Sequence, residues 1–181
     1  MMLMIRGIII VHLVSACIAA NTTKNISFET GNKLAVLRFE GEGVSDPLIE
    51  HLTEELRQSI RDLKIFNVQN QDITNDVHIF HPRSKDYWAC WNKECAVDIG
   101  RQLRVNYVIA GNIQKKENNE FFINGRLFSV DMEMMMNEFA MNSSGITDSL
   151  LLELKKMAFN VSGLPIPDTL LVDSDTTGIN V

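Results

Sequence analysis

Clustered positive charge, catalytic signatures and membrane-length apolar runs are all missing from this sequence. Lys and Arg number 17 against 23 Asp and Glu, a formal charge of −6, and the cations gather nowhere. A phosphate-neutralising surface is therefore absent, which argues against nucleic-acid binding. There is no Gly-x-Ser-x-Gly, no His-Glu-x-x-His and no paired-carboxylate motif. The chain therefore reads as non-enzymatic, with no catalytic residues, no cofactor and no metal. The turn Gly41-x-Gly43 lacks the Lys-Ser/Thr of a P-loop, and Glu40 and Glu42 beside it would repel an anion. His51, between Glu50 and Glu54, reads as a solvated helical side chain. No segment is apolar over the roughly 20 residues a helix needs to cross a bilayer.

Cysteine is also scarce, with three in the chain, and the N-terminus decides how to read them. Residues 1–20 have the form of a bacterial export signal: Arg6 supplies the positive end, and Gly7 to Val14 form a short apolar run broken by His12. Two cleavage readings stay open. Val14-Ser15-Ala16-Cys17 fits a lipobox, with Cys17 as the lipidation site. Ala19 and Ala20 instead suit ordinary cleavage before Asn21. Under either reading the mature chain reaches an oxidising compartment. Cys90 and Cys95 are then an even pair. A zinc site would combine them with His78 and His81, but the His-before-Cys order and the wide Cys-x4-Cys spacing suit zinc poorly. A disulfide is expected.

What is present, at 45% hydrophobic content, is enough to bury one core. Residues 21–32 are a polar tether, 33–163 a single domain, and 164–181 a flexible tail without periodicity. Within the domain, Lys33–Phe39 reads as a strand with Leu34 and Val36 on one face and Ala35, Leu37 and Phe39 on the other. Leu48, Leu52, Leu56, Ile60 and Leu63 mark a helix that turns Glu50, Glu54, Arg57 and Arg61 toward water. Strands follow at Ile65–Val68 and Val105–Ile113, the second after a helix over Lys93–Leu103. A hairpin turn over 115–120 leads to strands at Phe121–Val130 and Met132–Met141, and a helix over Thr147–Val161 closes the domain. The fold class is α/β: a single domain with a mixed sheet of about four to five strands and helices packed on it, in the order β-α-β-α-β-β-β-α.

Met132, Met134, Met135, Met136 and Met141 could offer thioethers to Cu(I). Alternation, however, sends Met134 and Met136 to one face and Met135 and Met141 to the other, as in a packed strand. Tyr87, Trp88 and Trp91, beside the cysteine pair, have two readings: cover for one end of the sheet, or a partner-binding patch.

The run KLAVLRFEGEGVS, the helix HLTEELRQSI, and Cys-x4-Cys-Ala-Val-x-Ile-Gly-x-x-Leu-x-Val-x-Tyr-Val-Ile-Ala-Gly-x-Ile from Cys90 to Ile113 resemble one bacterial envelope family. It is the CsgG-like group, which includes LpoB-like penicillin-binding-protein activators and TolB N-terminal-like lipoproteins. The resemblance spans about 33–163. It implies periplasmic placement and a binding or assembly role without catalysis, to which the lipobox reading adds anchoring to the outer membrane through Cys17. The partners would be envelope proteins, either a cell-wall synthase or a secretion and assembly component. A second implied role is a self-assembling subunit of a secretion-accessory ring. The chain is too short for the channel subunit's membrane barrel, and its tether would extend only about 50 Å at 3.3–3.6 Å per residue.

Overall fold

The computed structural model describes residues 31–74, 90–145 and 147–171. The first apolar run forms two collinear strands, β1 (Lys33–Val36) and β2 (Glu40–Glu42), both parallel to β4 (Tyr107–Lys115). Val36 lies opposite Ile109 and Glu40 opposite Asn112, so four steps on one strand match three on the other. The extra residue is a β-bulge. It reverses the alternation: Phe39 joins Leu34 and Val36 in one core, while Ala35 and Leu37 enter the other. The simple two-residue period, which grouped Phe39 with Ala35 and Leu37, fails at this kink.

Helix α1 (Asp46–Asp62) lies over the bulge and meets its backbone groups. Arg57 Nη2 donates to the Val36 carbonyl at 2.7 Å, and Thr53 Oγ1 accepts the Phe39 N–H at 3.2 Å. The Thr53 hydroxyl in turn donates to the Ile49 carbonyl at 2.7 Å. Arg57 is therefore fully buried, not turned to water as its helical position suggests. Desolvation pushes its pKa down, and the paired Glu54 carboxylate acts against that shift. Around these polar groups Ile49, Leu52, Leu56 and Ile60 are buried, with Leu48 and Leu63 at the margin.

β3 (Asn67–Val68) pairs with β1 in parallel. Helix α2 (Lys93–Leu103) starts at Asn92, whose side chain accepts the Cys95 N–H at 2.9 Å, and it ends at Arg104 in a left-handed conformation. After β4, a 3-10 turn (Glu117–Asn119) leads to β5 (Glu120–Ser129) and then β6 (Met134–Ser144), both antiparallel to their neighbours. Helix α3 (Thr147–Val161) follows, and a single helical turn, α4 (Asp168–Leu171), forms within the expected tail. The six-stranded mixed sheet runs β3-β1-β4-β5-β6, with β2 extending β1 alongside β4. No helix among the described residues is long and apolar enough to cross a membrane.

Helices α1 and α3 bury one face of the sheet, and α2 packs on part of the other. Two glycines set these contacts. A Cβ on Gly100 of α2 would lie 2.4 Å from Val130 Cγ2, so the helix rests directly on the sheet. A Cβ on Gly111 would meet the Phe39 ring at 2.6 Å, so this strand glycine accommodates the ring that the bulge has turned over. A second bulge interrupts β6: Leu127 faces Asn137 while Phe128 faces Met135, leaving Met136 unopposed. Met136 and Met141 consequently rest against the same core, while Met134 and Met135 are exposed, which differs from the pairing expected of a regular strand.

Candidate functional site

The part of the second face beyond α2 is polar because the strands alternate. Glu40, Asn112, Asn124 and Ala140 form one row across β2, β4, β5 and β6; Ala110, Arg126 and Glu138 form the next. Directly opposed side chains in such rows lie about 4.5–5.5 Å apart at Cβ.

Trp91 joins these rows to α2. It is half-buried, and its backbone N–H donates to the Glu40 carboxylate. Its carbonyl accepts from Arg126 Nη1 at 3.4 Å, and the Arg126 guanidinium carbon sits 3.9 Å from the centre of its ring. Arg126 Nε donates to Glu138 Oε1 at 2.8 Å, with side-chain exposures of 27% and 40%. The aromatic ring, the guanidinium and two carboxylates are therefore held together by contacts from three strands and the turn before α2. Stacking of this kind is worth about 0.5–2 kcal/mol, depending on desolvation.

The residue before Trp91 anchors the arrangement further. Cys90 is disulfide-bonded to Cys95 in the first turn of α2, with 5.1 Å between Cα atoms, and both are buried. Burial pushes the Glu40 carboxyl up to about 6, with the Trp91 N–H opposing that rise. Among the described residues Glu40 Oε1, Asn112 Oδ1 and Asn124 Oδ1 are buried without a hydrogen-bond partner, so one row holds three acceptor oxygens beneath the surface. Among the described residues no group of three or more His, Cys, Asp or Glu is arranged to hold a metal ion. The surface offers an aromatic ring, a stacked cation and the Glu138 carboxylate paired with it, the chemistry of a recognition surface.

Of the residues singled out from the sequence, Cys90, Cys95 and Trp91 come together here. Tyr87, Trp88, His78, His81 and Cys17 lie outside the described residues. His51 is exposed on α1, on another element. Sequence reasoning did not single out Asn112, Asn124, Arg126 or Glu138, and it treated Glu40 as a turn residue. The available signal was polar residues at every second position within apolar strands: Asn112 and Gln114 on β4, Asn124 and Arg126 on β5.

No family model matches the sequence, and no curated protein matches it. Solved structures do match the fold. The PelC dodecamer of Paraburkholderia phytofirmans superposes with a TM-score of 0.51 at 11% identity, covering 80% of this chain and 96% of that one. Lipoprotein GNA1162 of Neisseria meningitidis gives 0.51 at 9% identity, over 71% and 94%. The NMR structure of E. coli LpoB gives 0.50 at 14% identity, over 62% of this chain and 56% of that one. The chain has the LpoB-like fold found among bacterial envelope lipoproteins.

Proposed function

We propose that this LpoB-like fold serves as a periplasmic, non-catalytic interaction domain that holds or regulates another envelope protein, and that Trp91 is its main contact residue. The observation that carries the reading is the Trp91 clamp. Leaving a large aromatic partly in water forgoes some of its burial energy, yet here its main chain is tied to β2 and β5 and its ring is stacked on Arg126. Pre-ordering of this kind lowers the entropic cost of docking, and Trp and Arg are over-represented among interface hot spots. The similarity of fold to a lipoprotein and to LpoB supports envelope placement. The export signal supports it independently. Tyr87 and Trp88 belong to the same proposed patch through their proximity in sequence to Trp91.

Pull-down from envelope extract with Trp91→Ala and Arg126→Ala, paired with thermal melts, tests this. Loss of an anchor costs more than about 1 kcal/mol of binding, so capture should fall at least about fivefold while Tm stays within a few degrees. Undiminished capture by both folded variants would remove Trp91 from the interface. A large loss of Tm would make it part of the core instead.

A further inference from the structure

We infer that strand β6 is a docking edge for a second copy of this chain, joined antiparallel across a two-fold axis near Ala140. The inference goes beyond the reading above and does not depend on it. The sheet has unequal edges: β3, at one end, is two residues long, and β6, at the other, is eleven. Among the described residues no strand pairs with the outer side of β6. An edge of that length presents unpaired N–H and C=O groups, and monomeric proteins guard such edges with lysine, proline or unpaired charge. β6 contains no proline and no lysine. Its single charged residue, Glu138, is already matched by Arg126. Its bulge lies at Met136, at the N-terminal end, so Asn137–Ser144 keeps a regular register.

The two-fold restricts the pairing. For two copies to continue one sheet with matching faces, the strand must pair with itself about a residue, and each pair must share a face. Centring on Glu138 would set two carboxylates opposite each other, which is unfavourable. Centring on Ala140 places a small, exposed side chain on the axis. Phe139 then lies opposite the partner's Met141 on the face that α3 covers, apolar against apolar. Glu138 lies opposite the partner's Asn142 on the other face. The two Glu138 residues end up about 14 Å apart at 3.4 Å per residue, beyond the roughly 8 Å screening length at physiological salt. Charge, side-chain size and face agree in the register centred on Ala140.

Sedimentation equilibrium on the purified protein, with disulfide cross-linking of cysteine variants, tests it. The protein should sediment as a dimer at micromolar concentration. Ala140→Lys puts two cations face to face at an exposed position and should weaken the dimer at least tenfold with an unchanged melt. Ala140→Cys should oxidise to a covalent dimer, whereas Asn142→Cys, which would face Glu138, should not. A monomer at every concentration would overturn the inference. So would an assembly larger than a dimer, a dimer indifferent to Ala140→Lys, or cross-linking equal at both cysteine positions.

Discussion

Glu40 and Arg57 are both drawn out of water, with different consequences. The folded protein holds the Glu40 proton up to about pH 6, against an ordinary value of 4.5. Between those values the folded state binds more proton than the unfolded state, so stability falls as pH rises through the window and stays lower above it. Glu40→Gln removes the penalty. The variant should match the native protein near pH 4 and exceed it at pH 7.5. A shift of this size, discounted for solvent screening of a partly buried group, amounts to about 1 kcal/mol. Urea unfolding at the two pH values measures this, and a difference independent of pH would mean the carboxyl ionises normally in the fold. Arg57 is held by a backbone carbonyl and by Glu54, and it works alongside Thr53. Thr53→Val keeps the shape but strands the Phe39 N–H. Chemical denaturation should show a loss of about 1–3 kcal/mol. A loss well under half a kcal/mol would mean water takes over that bond.

At the scale of elements, α2 combines two local devices, the Asn92 cap and the Cys90–Cys95 link, with one contact to the sheet at Gly100. Asn92→Ala should cost about 1 kcal/mol. Replacing both cysteines by serine should cost about 2 kcal/mol through the unfolded state while leaving the fold intact. Gly100→Ala should cost about 1–3 kcal/mol by overpacking against Val130 and Val108. A single set of thermal melts ranks the three. Local character explains why α2 and α3 were legible from sequence: their 3.6-residue apolar spacing is written within each helix. The first strand was not. Its bulge is met by Thr53, 14 residues from Phe39, and by Arg57, 21 residues from Val36, and no pattern inside Lys33–Phe39 reports groups so far away. The candidate site was legible through Trp91 and the Cys90–Cys95 pair, while Glu40, Asn112 and Arg126 are brought together by strand register, a property of the assembled sheet.

At the scale of the whole molecule, the proposed export and anchoring would rest on residues 1–20. Cys17→Ser should move the protein from the membrane fraction to the soluble periplasm, since stable anchoring takes more than one acyl chain and a lipidated cysteine carries several. Fractionation with an unchanged distribution would leave ordinary cleavage before Asn21. The sheet order has its own consequence for how such a chain is made and moved. Strand β1 pairs only with strands that come later, and its contact between Lys33 and Asn106 closes a separation of 73 residues. Strands β4, β5 and β6 are joined by short turns and close locally. A chain emerging N-terminus first therefore cannot complete its sheet until residues near Ile109 have appeared, and the distant closure is the slow one. That delay keeps the leading half unfolded, the state a narrow channel would require of an exported chain. Fragments ending before Tyr107 should be digested as fast as an unfolded control, and chains extended through Val161 should resist. A protease-resistant fragment ending before Tyr107 would contradict this order of events.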